Sequence, residues 1–206
     1  MRLWLAILLS LFLTINTALA RATSPQEALD LVKGTTDRVL AILETHRAEL
    51  TQDNARLYGL VEEHIVPHLD FRTVGRWVMG RHWREATPDQ REAFIDEFLT
   101  LLVRTYASGL LEYSGETMQF LPLQAEDGAE DIVVRMQFQP AGGGQPIPIS
   151  YRMHWREQAW KVYDVNIEGV SLVTNYRNSL GTQFASEGVE AVIELLRERN
   201  RRGQIE

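Results

Sequence analysis

The fold is decided by residues Ile149–Tyr176, which read ISYRMHWREQAWKVYDVNIEGVSLVTNY. Apolar and polar side chains alternate along the first part of this stretch with a period of two. The apolar positions are Ile149, Tyr151, Met153 and Trp155. Such alternation is typical of a β-strand that buries one face and leaves the other in water. This stretch therefore predicts one strand of a sheet with a single buried face.

A second strand and a helix follow the turn at residues 157–159. The apolar row of the second strand is Tyr163, Val165 and Ile167. Gly169 lets the chain leave the sheet sharply, because glycine tolerates backbone angles that other residues avoid. Apolar residues then recur at helical spacing, at Val170, Leu172, Val173, Tyr176 and Leu180. The pattern predicts a strand pair whose apolar face is covered by the helix that comes next.

The rest of the chain predicts helices before the sheet and after it. Ser24–Glu27 and Thr87–Gln90 each combine an N-cap residue, a proline and a Glu or Gln three residues after the cap, which marks a helix start. Four apolar runs at hairpin spacing indicate an antiparallel sheet. We therefore predict an α+β fold, in which a four-stranded antiparallel sheet has several helices packed over one face. The predicted parts of this single domain, residues 21–206, are a helical part at 24–113, a sheet at 117–168 and C-terminal helices at 170–200.

The first twenty residues have the pattern of a cleavable secretory signal peptide. Arg2 provides a short positive start, Leu3–Leu13 forms an apolar core, and Ala18–Ala20 matches a cleavage site. The apolar core is too short to cross the roughly 30 Å of hydrocarbon in a bilayer, which argues against a membrane anchor. We therefore expect cleavage after Ala20 and a periplasmic mature protein.

Charge and cysteine content exclude several classes of protein. The formal net charge is −7, and nearly all positive charge is arginine because Lys33 and Lys161 are the lysines. Nucleic acids are bound by neutralising phosphates with basic side chains, so we expect no nucleic-acid partner. The chain has no cysteine, so neither disulfides nor a lipid-modified cysteine is available to it in an oxidising compartment.

His64, His68 and Asp70 are the candidate metal ligands. Two histidines four residues apart can share one face of a helix, and a nearby carboxylate could complete a site. However, Pro67 lies between the histidines and disturbs such a helix, and no third histidine has matching spacing. We therefore expect no metal and expect the two histidines to face solvent at a helix junction.

No motif in the sequence predicts catalysis or a cofactor. Without cysteine or a nucleophile-elbow pattern, a hydrolase would have to use a serine such as Ser171, whose position after Gly169 fits a helix N-cap instead. Asp164 fits an ion pair with an arginine across the sheet. The glycine patterns that hold phosphates or dinucleotides are missing from the sequence. We predict a protein that is not an enzyme and has no cofactor.

Apolar side chains therefore provide the candidate binding surface, on the buried face of the sheet and on the helices that cover it. By themselves these patterns fit a filled core as well as a hollow one. The candidate lipid-binding residues are Phe98, Leu102, Tyr106, Val134, Met136, Phe138, Ile149, Tyr151, Met153, Val165, Ile167, Val170, Leu172 and Tyr176.

Several motifs resemble the MlaC, or toluene-tolerance auxiliary, family of periplasmic phospholipid-binding proteins. They are VMGRHWREATPDQR at 78–91, ATPDQREAF at 86–94, LLEYSGET at 110–117 and WKVYDVNIEGVSL at 160–172. The similarity extends from about Val61 to Leu196. It implies that the sheet and helices enclose an apolar lipid pocket, with acyl tails inside and the head group near the mouth.

The resemblance also implies a function and partners. The protein would carry phospholipid between an outer-membrane lipoprotein complex and an inner-membrane ABC transporter complex, and so maintain outer-membrane lipid asymmetry. A related subgroup implies hopanoid or another lipid as alternative cargo. Two further hypotheses remain, namely a lipid hydrolase or isomerase that uses Ser171 or Asp164, and an envelope adaptor with a solid core that carries nothing.

Overall fold

The structure is a computed structural model that describes residues 23–203, so the predicted signal peptide at 1–20 lies outside the described residues. The helices are α1 (Pro25–Gln52), α2 (Asn54–His64), α3 (Phe71–Met79), α4 (His82–Glu85), α5 (Pro88–Leu110) and α6 (Leu172–Arg202), with a short 3-10 turn at Val66–His68. The strands are β1 (Thr117–Phe120), β2 (Asp131–Gln139), β3 (Ile147–Arg156), β4 (Ala159–Ile167) and β5 (Val170–Ser171). Within 23–203, no helix has an apolar stretch of the length that a bilayer crossing requires.

The strands form one antiparallel sheet in the order β1-β2-β3-β4-β5. The predicted α+β class and antiparallel pairing are confirmed, but the sheet has five strands where we predicted four. The additional strand is β5, whose two residues pair with Asn166 and Ile167. A strand of two residues is too short to show alternation, so the sequence pattern could not reveal it.

A one-residue β-bulge in β4 changes which of its side chains point to the same face of the sheet as the apolar row of β3. Tyr151 lies opposite Val165 and Met153 lies opposite Val162, so Tyr163 is an extra residue between the two pairs. Because side chains alternate along a strand, one extra residue shifts the alternation by one position. Val162 therefore occupies the place in the apolar row that simple alternation gave to Tyr163.

Apolar packing divides into three clusters, and each joins different elements. The first packs α3 and α5 against α6, where the ring of Phe94 lies 5.5 Å from that of Phe98 and 5.6 Å from that of Phe184. The second packs α1 and α2 against α5. The third packs the first turns of α1, through Ala28 and Val32, onto β2, β3 and β4. The helices thus meet the sheet in some places and one another elsewhere.

Capping at the start of α6 joins this helix to β4. Ser171 caps the helix as predicted, and its hydroxyl donates to Asp164 Oδ2 at 2.8 Å. The Val173 N–H donates to Asp164 Oδ1 at 3.2 Å. The expected ion pair between Asp164 and an arginine is wrong, because the carboxylate is occupied by the helix start. Arg152, the residue opposite Asp164, lies over the ring of Tyr163 instead.

A second carboxylate, that of Asp70, joins the segment between α2 and α3 to the sheet. The Asp70 N–H donates to the Val162 carbonyl at 2.8 Å, and Asp70 Oδ2 lies 2.8 Å from His154 Nε2 on β3. The carboxylate also caps α3 by accepting from the Thr73 N–H at 2.9 Å. Desolvation opposes ionisation of Asp70, but hydrogen bonds from Thr73 and the contact with His154 together hold its pKa below the ordinary value.

The helices that we predicted at 170–200 form one element, α6, which is kinked within its length. Gly188 has φ 83° and ψ 178°, which are not helical angles, yet the helix continues to Arg202. Near its end, Asn200 is buried and its side-chain amide donates to the Glu97 carbonyl on α5 at 2.9 Å.

We predict that the Asp70→Asn variant loses less stability in acid than the wild type does. Because folding lowers the pKa of Asp70 below 3.8, its ionised form stabilises the fold above that pH, and this contribution is lost as the pH falls through 3.8 towards the folded-state pKa. Asparagine still caps a helix but does not titrate. Urea unfolding from about pH 7 to about pH 3 should show a smaller loss for the variant than for the wild type. Asp53→Asn, at the exposed cap of α2, is the control and should follow the wild type. Identical acid slopes for Asp70→Asn and the wild type would contradict the prediction.

We also predict opposite effects of two glycine substitutions in α6. Gly188→Ala forces a side chain into a left-handed conformation and should lower the free energy of unfolding by about 1–3 kcal/mol. Gly181→Ala, whose added Cβ meets no atom within 4 Å, should raise it by up to about 1 kcal/mol because alanine favours helix. Both values come from urea denaturation. An unchanged or higher free energy of unfolding in Gly188→Ala would show that the kink at Gly188 is not required.

Candidate functional site

Two adjoining cavities lie between the helices and the inward face of the sheet. The α1 chamber, about 300 Å³, is bounded mainly by α1 and strands β1 to β4. The α5 chamber, about 360 Å³, is bounded mainly by α2, α5, β4 and the start of α6. The residues that line both are Ile65, Leu69, Leu110, Tyr151, Val162 and Val165. Each volume falls within the lower part of the range for small-molecule sites, about 300–1,000 Å³.

The walls of both chambers are almost entirely apolar. In the α1 chamber the polar side chains are those of Thr35, Thr36, His68 and Tyr151. The other thirteen residues that line the α1 chamber are apolar. In the α5 chamber the one carboxylate is that of Asp164, and both of its oxygens already accept hydrogen bonds. The chambers are therefore suited to apolar groups, held by burial rather than by hydrogen bonds.

Tyr151 stands in the wall that the two chambers share. Its hydroxyl donates to the sulfur of Met136 at 3.5 Å, a weak acceptor. Burial raises the pKa of Tyr151 to about 12, so the phenol stays neutral at physiological pH. The shared wall thus carries an uncharged aromatic ring with one weakly bonded hydroxyl, and a ligand in either chamber would touch this ring.

The α5 chamber reaches the surface at Tyr106. Tyr106 lines this chamber and is 41% exposed, and Val170 is 56% exposed. These are the large hydrophobic side chains exposed in the described part of the chain. Val170 lies opposite Ile167 in the sheet, and Ile167 also lines the chamber. Exposed apolar side chains beside an apolar cavity indicate its mouth.

The structure brings most of the sequence-predicted binding residues to the chambers. Those that line one or both are Leu102, Tyr106, Met136, Phe138, Ile149, Tyr151, Val165, Ile167 and Leu172. The others lie outside the two linings. Phe98, Val134 and Met153 are almost completely buried in filled clusters. The Tyr176 ring packs edge-on against Phe98 at 5.0 Å, and Val170 is mostly in solvent.

Sequence reasoning missed the contribution of α1 and of the segment after α2. The missed α1 residues are Leu31, Val32, Thr35, Thr36, Val39 and Leu40, and Ile65 and Leu69 follow α2. The α1 residues recur every three to four positions, so the pattern does show that one face of the helix is turned inward. The additional signal is Thr35 and Thr36, because two small polar residues in an apolar stripe leave room that large side chains would fill.

The candidate metal ligands are not assembled. Asp70 contacts His154 rather than His64 or His68, and residues 23–203 contain no cluster of three or more His, Cys, Asp or Glu side chains suited to a metal ion. His68 does not face solvent as expected, because it is half-buried and lines the α1 chamber. Burial lowers the pKa of His68, and the positive charges of Lys161 and Arg38 lower it further. A neutral imidazole is compatible with an apolar wall.

Comparison with known proteins relates this chain to lipid-binding proteins. The model of the MlaC protein family matches residues 33–198. The intermembrane phospholipid transport system binding protein MlaC of Haemophilus influenzae is 28% identical over 199 residues, which cover 92% of this chain and 89% of the relative. The toluene tolerance protein ttg2D of Pseudomonas putida is 25% identical over 160 residues, which cover 77% and 74%.

A solved structure extends the likeness to three dimensions. The phospholipid-binding protein from Ralstonia solanacearum, solved in complex with a phospholipid, is 33% identical to this chain. It superposes with a TM-score of 0.79, and the match covers 85% of this chain and 98% of that one. The family model spans most of the sequence, and the fold agrees as well. This chain therefore belongs to the MlaC family.

Proposed function

We propose that this protein is a periplasmic phospholipid carrier that holds acyl chains in the α1 and α5 chambers. The observation that carries the proposal is the pair of adjoining chambers, whose lining residues are mostly apolar. The likeness to a structure that contains phospholipid supports the choice of ligand. The mouth at Tyr106 would leave the polar head group near the surface while the chains lie inside.

The energetics of acyl chains explain why a carrier is needed. Transfer of about thirty methylenes into water costs on the order of 24 kcal/mol, at about 0.8 kcal/mol each. This exceeds the practical ceiling of non-covalent affinity, about 18–21 kcal/mol. Release of lipid into water is therefore negligible. Exchange between a bilayer and the chambers replaces one apolar environment with another and is close to balanced.

Loading and unloading then require contact with membrane partners. We propose that these are an outer-membrane lipoprotein complex and an inner-membrane ABC transporter complex, and that transport between them maintains outer-membrane lipid asymmetry. A relative named for an intermembrane transport system supports this assignment. The sequence has no nucleotide-binding motif, so the direction of transport would come from the partners.

Local contacts favour a carrier over the two alternatives. The Ser171 hydroxyl and the Asp164 carboxylate, the candidate groups for an enzyme, are engaged in starting α6. An adaptor with a solid core would not need two unfilled apolar chambers. Hopanoid or another lipid is an alternative cargo for the same chambers, and extraction of lipid from the purified protein distinguishes it from glycerophospholipid.

We predict that Val165→Trp lowers the amount of lipid bound to the folded protein. Val165 lines both chambers, so a bulky ring at this position takes the space of acyl chains. Ala125→Trp is the control, because Ala125 is exposed in the loop between β1 and β2 and lies outside both linings. Native mass spectrometry of both variants should show at least about a fivefold lower ratio of lipid-bound to lipid-free protein for Val165→Trp, a loss of about 1 kcal/mol. Circular dichroism checks that both variants are folded.

The same variants test the proposed transfer. Lipid movement from donor to acceptor vesicles should fall with Val165→Trp and persist with Ala125→Trp. Full lipid occupancy in a folded Val165→Trp variant would contradict the location of the chains. Wild-type protein that neither binds nor transfers lipid would overturn the carrier function itself.

A further inference from the structure

A third cavity adjoins the α5 chamber at Leu69 and Phe71, which line both spaces. This outer cleft has a volume of about 650 Å³ and lies between α3 and the turn that joins β3 to β4. In contrast to the chambers, its wall contains many charged side chains. The charged residues of the outer cleft are Asp70, Arg72, Arg76, Arg156, Glu157 and Lys161.

The balance of charge in the outer cleft is opposite to that of the whole protein. The chain has a formal net charge of −7, yet the cleft brings together Arg72, Arg76, Arg156 and Lys161 with fewer acidic groups. One of the acids, Asp70, is already bonded to His154 and Thr73. A concave surface with clustered positive charge concentrates anions.

Two of the four cations are held by partners of their own. Arg72 donates to Glu92 at 2.7 Å, and its guanidinium lies 5.9 Å from the centre of the Trp83 ring. The Lys161 ammonium donates to the Pro67 carbonyl. Each of these contacts uses one N–H donor and helps to hold the positive charge in place.

The other two, Arg76 and Arg156, have donors available. Both are exposed side chains that line the cleft. Within residues 23–203, neither lies within ion-pair distance of an acidic group, although Arg56, Arg72, Arg197, Arg201 and Arg202 all do. A guanidinium presents several N–H donors in a fixed plane that matches the oxygens of a phosphate. Two such groups that line one cleft can bind the same oxyanion together, which a single exposed arginine cannot do.

We propose that the outer cleft binds a phosphate-type oxyanion through Arg76 and Arg156, with Arg72 and Lys161 adding positive charge. The oxyanion has two sources, a free phosphate-bearing solute or the head group of a lipid whose chains enter the α5 chamber past Phe71 rather than at the Tyr106 mouth. The head-group source rests on the proposed carrier function, whereas the anion site itself does not. With the head-group source, the site would give an apolar carrier a means to select cargo by charge.

The test compares two double variants by isothermal titration of the lipid-free protein with inorganic phosphate at low ionic strength. Arg76→Gln combined with Arg156→Gln removes the two available guanidinium groups. Arg84→Gln combined with Arg135→Gln removes the same charge from exposed arginines outside the cleft. We expect phosphate binding to the wild type and the control, and binding at least about tenfold weaker in the cleft variant. Circular dichroism verifies the fold of each protein.

Two results would overturn the site. The first is no binding of inorganic phosphate to the wild type, and the second is equal weakening in the cleft variant and the control, which would indicate only general charge attraction. Failure of the carrier function is distinguished from both results, because the titration uses no lipid.

A second arm identifies the source of the oxyanion. The titration is repeated with protein loaded from vesicles of phosphatidylglycerol. Loss of phosphate binding on loading shows that the head group occupies the cleft, and unchanged binding shows that the cleft serves a free solute. Both results support an anion site and differ only in what fills it.

Discussion

Two carboxylates hold the helices of this protein to the sheet at fixed places. Asp70 ties the segment between α2 and α3 to β3 and β4, and Asp164 ties the start of α6 to β4. Both anchors lie beside a cavity, because Asp164 and the two neighbours of Asp70, Leu69 and Phe71, line the α5 chamber. Between the anchors the apolar faces do not meet, and the α1 and α5 chambers remain. The hollow thus follows from where the polar contacts are placed, because apolar faces by themselves would close together.

The contacts of Asp70 and Asp164 also limit which walls of the two chambers can move. Each chamber is small, about 300 Å³ and about 360 Å³, so long chains require the walls to move apart. Elements held by Asp70 and Asp164 are poorly placed to move. Helix α1 is also held at its start, where Trp160 Nε1 on β4 donates to the Ser24 carbonyl at 3.0 Å and Ala28 and Val32 pack onto the sheet.

Much of this arrangement can be predicted from the sequence, because it depends on local patterns. Alternation in 149–155 predicts the central strand, and the capping box at Thr87 predicts the start of α5, where the Thr87 hydroxyl and Gln90 N–H pair at 3.2 Å. At the other predicted capping box, the Ser24 side chain makes no capping hydrogen bond, although α1 does begin at Pro25. The bulge at Tyr163 could not be predicted, because it depends on pairing between strands rather than on the order of residues within one.

The chambers were beyond sequence reasoning for a related physical reason. Met153 and Met136 are both apolar residues on the inward face of the sheet, yet Met153 is fully buried in a filled cluster and Met136 lines a chamber. Their difference comes from the tertiary packing around each side chain, which no local pattern encodes. Family resemblance supplied the expectation of a lipid pocket, and only the packing shows which side chains border it.

The central claim is that acyl chains lie in the chambers and not elsewhere in the interior, and the methionines report on it directly. Met118 and Met136 line the α1 chamber, while Met79 and Met153 are buried in filled clusters. Lipid-loaded protein with isotope-labelled methionine methyl groups should show nuclear Overhauser cross-peaks from acyl methylene protons to Met118 and Met136, and none to Met79 or Met153. Cross-peaks to Met79 and Met153, or none to any of the four, would contradict the account.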